Sequence, residues 1–318
     1  MSAESRQVVV VTGISGNLGR TLIKLLHRTE RIVGLDRRPF SGAPKDVELF
    51  QLDPRKKKAE DVFRIHDVKA VIHMGIMHDP RMSSEEHHSF NVVGTTRVLD
   101  AVAKYGVKKV VVLSSANVYG PSPDNSNFLS EDAPLMAASR FSGVRDLIEV
   151  DMLAHGFFWR HPDIETVILR PVHIVGPTIR NAPSNYLRLR YPWVLAGFDP
   201  MLQLIHQEDA ARAMVEALRP GLKGVYNVVG PGEVPLSAVL RELGRTPIPV
   251  PHPLARPLLG TLFRYRLANF PPPELDHIQF LCMVDGSRWT ADVGLGARAL
   301  DEGHHPVGGR GASGGMKG

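Results

Sequence analysis

Val8–Val11 is an unbroken β-branched run, followed by a glycine-rich turn and then by Leu18, Leu22, Leu25 and Leu26 at helical spacing. Further strand-like runs are Arg31–Leu35, Val47–Leu52, Ala70–Met74, Lys109–Leu113 and Glu165–Leu169, with helical segments such as Val92–Ala103 and Val144–His155 between the later ones. Short apolar strands without alternation predict a parallel sheet, because a strand covered on both faces has no side to make polar. The expected fold class is therefore α/β, with a doubly wound parallel sheet. After Pro171 the rhythm loosens to a helix at Glu208–Leu218, a strand at Val225–Val229 and a helix around Leu236–Leu243. Thr246–Pro257 contains five prolines and predicts extended surface chain, and Pro271–Pro273 predicts a rigid stop. The expected organisation is a main domain over 1–170, with late elements returning from 205–230, and a smaller lobe over 171–302 on the sheet's carboxyl edge. The Gly-rich tail 303–318 has almost no apolar content and is expected to be disordered.

Composition narrows the function classes. The 318 residues are 43% hydrophobic and 22% charged, ordinary for a folded soluble domain. The single cysteine, Cys282, excludes a disulfide framework and a cysteine-rich zinc site, and one thiol fits a reducing compartment. Met1 to Gln7 is short and polar, and no stretch approaches 18 apolar residues, so the expectation is a cytoplasmic protein without a membrane span. The net charge of +5 is mild and its basic residues are dispersed. Nucleic acid is therefore not expected as a partner, whereas anionic small molecules are.

The strongest chemical signal is Thr12-Gly13-Ile14-Ser15-Gly16-Asn17-Leu18-Gly19, lying between the first strand and the first helix. Gly13 permits a tight turn, Gly16 removes a side chain where a pyrophosphate must approach backbone N–H groups, and Gly19 permits close helix–strand packing. The helix N-terminus then faces the anion. Asp36 ends the second strand 17 residues after Gly19, where a carboxylate accepts hydrogen bonds from ribose hydroxyls. Together these features predict a Rossmann-type dinucleotide site in the domain 1–170.

The Gly-x-x-Gly-x-x-Gly spacing after Thr12 resembles the short-chain dehydrogenase/reductase superfamily. Later landmarks resemble its extended branch, the NAD-dependent epimerase/dehydratase family that includes UDP-glucose 4-epimerases. They are Val71-Ile72-His73-Met74-Gly75, Asn91-Val92-Val93-Gly94-Thr95, Ser114-Ser115-Ala116-Asn117-Val118-Tyr119-Gly120, Leu169-Arg170-Pro171 with Gly176-Pro177, and Ile205-His206-Gln207-Glu208-Asp209. They occur in order and cover about Val8 to Arg288.

The resemblance implies NAD as cofactor, with Gly13, Gly16, Asn17 and Leu18 at the pyrophosphate, Asp36 on the adenosine ribose and Asp53 at the adenine amino group. Met74, Gly75 and Ile76 would line the ribose path, Asn91 would sit near the cofactor's centre, and Pro171, Val172 and His173 would border nicotinamide and substrate. Ser15, Arg37, Pro54 and Leu113 complete the implied cofactor contacts. Asp36 favours NAD, while Arg37 and Arg38 beside it leave NADP open. Ser115 falls on the catalytic Ser/Thr position. Nucleotide sugars are the family's usual substrates, and Arg180, Arg188, Arg190 and Arg212 flank the segments where it binds a diphosphate. Homodimers through helices corresponding to Ser89–Tyr105 and Val144–His155 are common in the family.

One element of the pattern is broken. The family's Tyr-x-x-x-Lys pair is replaced by Phe141 and Arg145, in a register anchored by Glu149, and no tyrosine lies between Gly120 and Pro171. Phe141 has no proton to give, and Arg145 keeps its charge and can hold the nicotinamide ribose but titrates too high to be an acid. Candidate proton donors are His78, whose neighbour is Asp79, and His173, because histidine is the natural acid near neutral pH. Each histidine has the alternative of filling a polar niche, and Tyr119 is read as structural.

The remaining features take plainer readings. Arg55–Lys58 is read as a solvated helix start rather than a 2′-phosphate site. His87-His88 and His304-His305 lack the partner spacing of a metal site, so no metal is expected. Leu254–Phe270 is read as a lid over the cleft, with a membrane-surface helix as the alternative. Two functions stay open. One is an atypical NAD(P)-dependent oxidoreductase or epimerase acting on a hydroxyl or carbonyl of a small molecule, and the other is a catalytically inactive dinucleotide-binding regulatory or scaffold protein.

Overall fold

The computed structural model describes residues 7–77, 82–137, 144–265, 275–276, 279–280 and 282–294. Along the first half run β1 (Val8–Thr12), α1 (Asn17–Leu26), β2 (Ile32–Asp36), β3 (Glu48–Gln51), α2 (Asp61–Ile65), β4 (Val68–His73), α3 (Ser84–His88), α4 (Gly94–Lys104), β5 (Lys109–Leu113) and α5 (Arg145–Arg160). The second half comprises β6 (Glu165–Pro171), β7 (His173–Val175), α6 (Ala182–Arg188), β8 (Trp193–Leu195), β9 (Met201–Leu202), β10 (Leu204–His206), α7 (Gln207–Glu216), β11 (Gly224–Val228), β12 (Val234–Pro235), α8 (Leu236–Glu242), β13 (Ile248–Val250), α9 (His252–Arg264) and α10 (Ser287–Val293).

Seven of these strands form one parallel sheet in the order β11-β6-β5-β4-β1-β2-β3. Every residue of β1 is buried, which is why the run shows no alternation. Val9 and Val11 pack with Leu22, Leu26, Ala210 and Met214, whereas Val8 and Val10 pack with Val98, Val102, Val150 and Phe157. Each strand therefore carries two hydrophobic cores, one per face, and the architecture is the doubly wound α/β fold. The strand order reverses between β1 and β4, and a parallel sheet opens a crevice there at its carboxyl end. Gly13, Met74, Ser115 and His173 all follow strands at that edge.

The remaining strands form three two-stranded sheets, β10-β7, β12-β9 and β13-β8. Here the expectation for Thr246–Pro257 is overturned in part, since β13 and the first half of α9 occupy it. Pro253 lies in the first turn of α9, where no N–H is required, and Pro257 is the one interior proline. Ala255 and Leu259 fall four apart on one face and pack with Leu195, Val250 and Leu275, and this burial outweighs the roughly 3 kcal/mol cost of an interior proline. No helix of the described residues is long and apolar enough to cross a membrane. Pro271–Pro273 and the tail 303–318 lie outside the described residues.

Candidate functional site

The glycine turn is built by close backbone approach. Gly13 has φ +75°, and a Cβ there would meet the Met74 carbonyl carbon and oxygen at 2.9 Å. A Cβ on Gly19 would lie 2.5 Å from the Ile14 carbonyl oxygen. Gly16 is the N-cap of α1 and has no side chain to cap it, so the first amides of the helix are left facing the turn. Asp36 is buried beside them: its Oδ2 accepts from the Ser15 N–H at 3.0 Å and its Oδ1 from the Arg38 N–H at 2.9 Å. A carboxylate offers about four acceptor sites, so Asp36 is oriented by these donors and keeps capacity for a hydroxyl.

Further along the edge, Asp53 is clamped by Arg55, whose Nε reaches both carboxylate oxygens at 3.0 Å and whose Nη2 reaches Oδ2 at 2.6 Å. The guanidinium hydrogen bond holds the Asp53 carboxyl below its ordinary range. Arg55 and Arg37 both lie over the Phe90 ring, at 5.6 and 4.8 Å from its centroid. The reading of Arg55 as the start of a solvated helix is thus corrected. Its side chain organises Asp53, because the ion pair and the ring cover it, and the short 3₁₀ turn begins only at Lys57. Pro54 separates this pair in sequence.

Asn91 is spent on the chain itself. Its Oδ1 accepts from the Met77 N–H and its Nδ2 donates to the Met77 carbonyl, both at 2.7 Å, which fixes the segment Met74-Gly75-Ile76-Met77 beyond β4. His73 is enclosed next to it. Thr95 Oγ1 donates to the Asn91 carbonyl at 2.6 Å and therefore accepts from His73 Nε2 at 2.9 Å, leaving Nδ1 to accept from Thr12 Oγ1 at 2.6 Å. Burial pushes His73 down to about 4 from an ordinary 6.5. Only the unfolded chain then binds this proton as pH falls from 6.5 towards 4, so the stability is whole above 6.5 and lost across that window. The size is roughly 3 kcal/mol. Denaturant unfolding at a series of pH values should show it, with a shallower slope in His73→Asn; identical slopes would contradict this account.

At the end of β5, Leu113 leads to Ser115, whose Oγ accepts from the Asn117 N–H at 3.1 Å. Beyond β6, Pro171 and Val172 lead to His173 at the start of β7. An open cleft lies between them, lined by Ala116, Asn117, Val172, His173, Gln203 and Cys282. Burial pushes His173 down to about 4 and the Cys282 thiol up to about 12. Burial thus holds His173 as a neutral imidazole at neutral pH, with one ring nitrogen to donate and one to accept a hydrogen bond. Arg145 is the exposed first residue of α5. His78 and Phe141 lie outside the described residues.

Two arginine clusters take their full shape only in three dimensions, the second of them made of arginines that the sequence had already placed beside the diphosphate segments. Arg170 binds Asp151 through Nη2 at 2.6 Å and Nε at 2.9 Å, and donates through Nη1 to Tyr119 Oη at 2.8 Å. Tyr119 Oη donates in turn to Asn227 Oδ1 at 2.8 Å, and Ser114 Oγ donates to Asp151 Oδ2 at 2.6 Å. This buried network ties β5, α5, β6 and β11 together beneath Ser115 and His173. Its signal was a charged residue in an apolar strand. Arg180 and Arg188 form the second: both donate to carbonyls of the 176–179 loop, and neither makes an ion pair among the described residues. Desolvation, then the charge of Arg180, lowers the Arg188 guanidinium from its ordinary value. Arg190 stacks on Tyr191, and Arg212 is exposed on α7. His87 and His88, which have no partner at metal-site spacing in the sequence, have Asp146 of α5 at 3.1 Å and 3.5 Å.

A model of the NAD dependent epimerase/dehydratase family matches residues 9–229. An uncharacterised protein of Mycobacterium tuberculosis is 30% identical over 259 residues, which cover 77% of this chain and 68% of that one. The UDP-glucose 4-epimerase of Bacillus subtilis is 32% identical over 157 residues, 44% of this chain and 45% of its own. Among solved structures, the UDP-glucose 4-epimerase of Thermus thermophilus in complex with NAD superposes with a TM-score of 0.70 at 21% identity, covering 90% of this chain and 92% of that one.

Proposed function

The chain belongs to the NAD-dependent epimerase/dehydratase family, and from that premise we propose that it performs NAD-linked chemistry on a hydroxyl or carbonyl carbon of a nucleotide sugar, with a proton carrier other than the family tyrosine. The observation that carries this reading is the placement of the uncapped α1 turn, Asp36, Ser115 and His173 along one carboxyl edge of the sheet. The cradle fits a dinucleotide, because a Cβ at Gly13 would collide with the Met74 backbone and α1 offers bare amides to a pyrophosphate. When bound, NAD supplies a hydride acceptor at the cleft. Gly13, Ser15, Gly16, Asn17 and Leu18 hold the pyrophosphate, and Asp36 the adenosine ribose. Arg37, Asp53 and Pro54 bound the adenine end. Met74, Gly75, Ile76, Leu113, Pro171 and Val172 form the walls, with Asn91 holding Met77 behind them. Arg145 binds the nicotinamide ribose. Ser115 donates a hydrogen bond to the reacting oxygen, and neutral His173 or His78 exchanges its proton with water as relay. Arg180 and Arg188 receive the substrate's diphosphate, and the lobe from 171 onward closes over it.

Losing a hydrogen bond to a charged group costs about 1.5–3 kcal/mol. Asp36→Asn is accordingly expected to weaken NADH binding by about 10–100-fold while NADPH binding changes little, as read by calorimetric titration with both. Equal losses for the two cofactors would contradict the ribose assignment.

The deciding experiment incubates the protein with NAD and a panel of UDP- and dTDP-sugars, following products by chromatography and NADH by absorbance. Turnover that falls at least about tenfold in Ser115→Ala supports the reading. Phe141→Tyr restores a phenol four residues before Arg145 and is expected to raise turnover by about 10²-fold or more. Phe141 itself favours a second reading, a cofactor-binding regulator. A wild type that binds NAD but stays inert on the panel, with Phe141→Tyr also inert, selects that one.

A further inference from the structure

Away from the cleft, α3 and the first turn of α5 bring one imidazole and two carboxylates to a point. His88 Nδ1 lies 3.5 Å from Asp146 Oδ1 and 3.6 Å from Glu149 Oε2, and one donor atom from each residue lies within 4.8 Å of the others. We propose that His88, Asp146 and Glu149 form a binding site for a divalent transition-metal cation of the zinc class, which pins α3 to the start of α5.

The spacing supports it. A tetrahedral zinc ion with bonds of about 2.0–2.2 Å sets its ligand atoms roughly 3.3–3.5 Å apart. The imidazole–carboxylate separations, 3.5 and 3.6 Å, stand at or just above that value. The carboxylate pair closes by rotation of Glu149, whose side chain is 43% exposed and free to turn. One nitrogen and two oxygens suit zinc, cobalt or manganese, whereas calcium calls for six to eight oxygens. Three protein ligands leave a fourth position for water.

The surroundings also resemble a metal site. Asp146 is only 15% exposed, and its second oxygen is held 3.1 Å from His87 Nδ1. Such an outer hydrogen bond fixes a carboxylate ligand's direction. His87 Nδ1 in turn lies 3.2 Å from Asn91 Nδ2, the same amide that grips the Met77 backbone. Arg145 precedes Asp146 directly. A bound cation would thus stiffen the corner that carries Arg145.

The test uses the full chain, stripped with chelator and dialysed. Zinc chloride is titrated by calorimetry, and cobalt(II) is followed by its visible absorption, which is intense only in four-coordinate sites. One cation per chain is expected. Binding should be abolished in His88→Ala, weakened at least about tenfold in Glu149→Gln, and weakened about 10–100-fold in His87→Ala, which leaves all three ligands in place. Zinc should also raise the midpoint of thermal unfolding in the wild type and not in His88→Ala. Circular dichroism confirms that each variant folds, and Glu149→Gln, a surface isostere, serves if His88→Ala does not. The proposal is overturned if no stoichiometric binding occurs, or if binding is the same in Glu149→Gln and His87→Ala as in the wild type, which would place the cation on other histidines.

Discussion

Arg170→Ala is expected to lower the unfolding free energy by about 3–5 kcal/mol, because it strips one partner from a buried ion pair and leaves the other charge uncompensated. The side chains of Asp151 and Arg170 are 0% and 3% exposed, so water cannot replace the lost guanidinium without opening the core. Removing Arg170 also takes a donor from Tyr119 Oη and from the Glu131 carbonyl, leaving Asp151 with only the Ser114 hydroxyl. Urea unfolding of the two proteins measures the difference. The double substitution Arg170→Met with Asp151→Leu should recover part of the loss, since removing both charges also removes their desolvation cost. A single-variant loss below about 1 kcal/mol would show that the network does not hold β5, α5, β6 and β11 together.

Gly19→Ala is expected to weaken NAD binding by about 100-fold or more, roughly 2.7 kcal/mol, with a smaller loss of stability. The new Cβ would lie 2.5 Å from the Ile14 carbonyl oxygen and 2.8 Å from that of Gly13. Both neighbours are backbone, so the turn itself must move, and overpacking of this kind costs about 1–3 kcal/mol. That movement displaces the amides at the N-terminus of α1 from the pyrophosphate. The control is Gly42→Ala. Gly42 has φ +79° but nothing within 4 Å of a Cβ, so its variant should lose only about 1–2 kcal/mol of stability and bind NAD normally. Calorimetric titration with NAD decides it, and an affinity for Gly19→Ala within threefold of wild type would refute the cradle.

The fold and the cofactor end of the site were legible in the chain because their causes are local. A strand buried on both faces must be apolar throughout, as Val8–Val11 is, and a position where a Cβ would fall within 3 Å of neighbouring backbone atoms must be glycine, as Gly13 and Gly19 are. Asp36 could be placed by counting from the turn. The prolines of Thr246–Pro257 hid the helical spacing of Ala255 and Leu259, because their partners Leu195 and Leu275 come from elsewhere in the chain. The landmarks from Val8 to Arg288, read in order, determined the family and the sheet, and the sequence alone shows a phenylalanine, with no proton to give, where the family pattern has its tyrosine. Only the tertiary structure decided the chemistry that depends on neighbours distant in sequence. His173 is held neutral because burial desolvates it, and Asp53 is paired because Arg55 folds back onto it. Arg170 is tolerated in the core because Asp151 meets it, and His88 gains two carboxylates because α5 packs against residues 89–93, which follow α3. Desolvation and pairing are properties of position in space, and a linear pattern carries them only where the partners lie within a few residues.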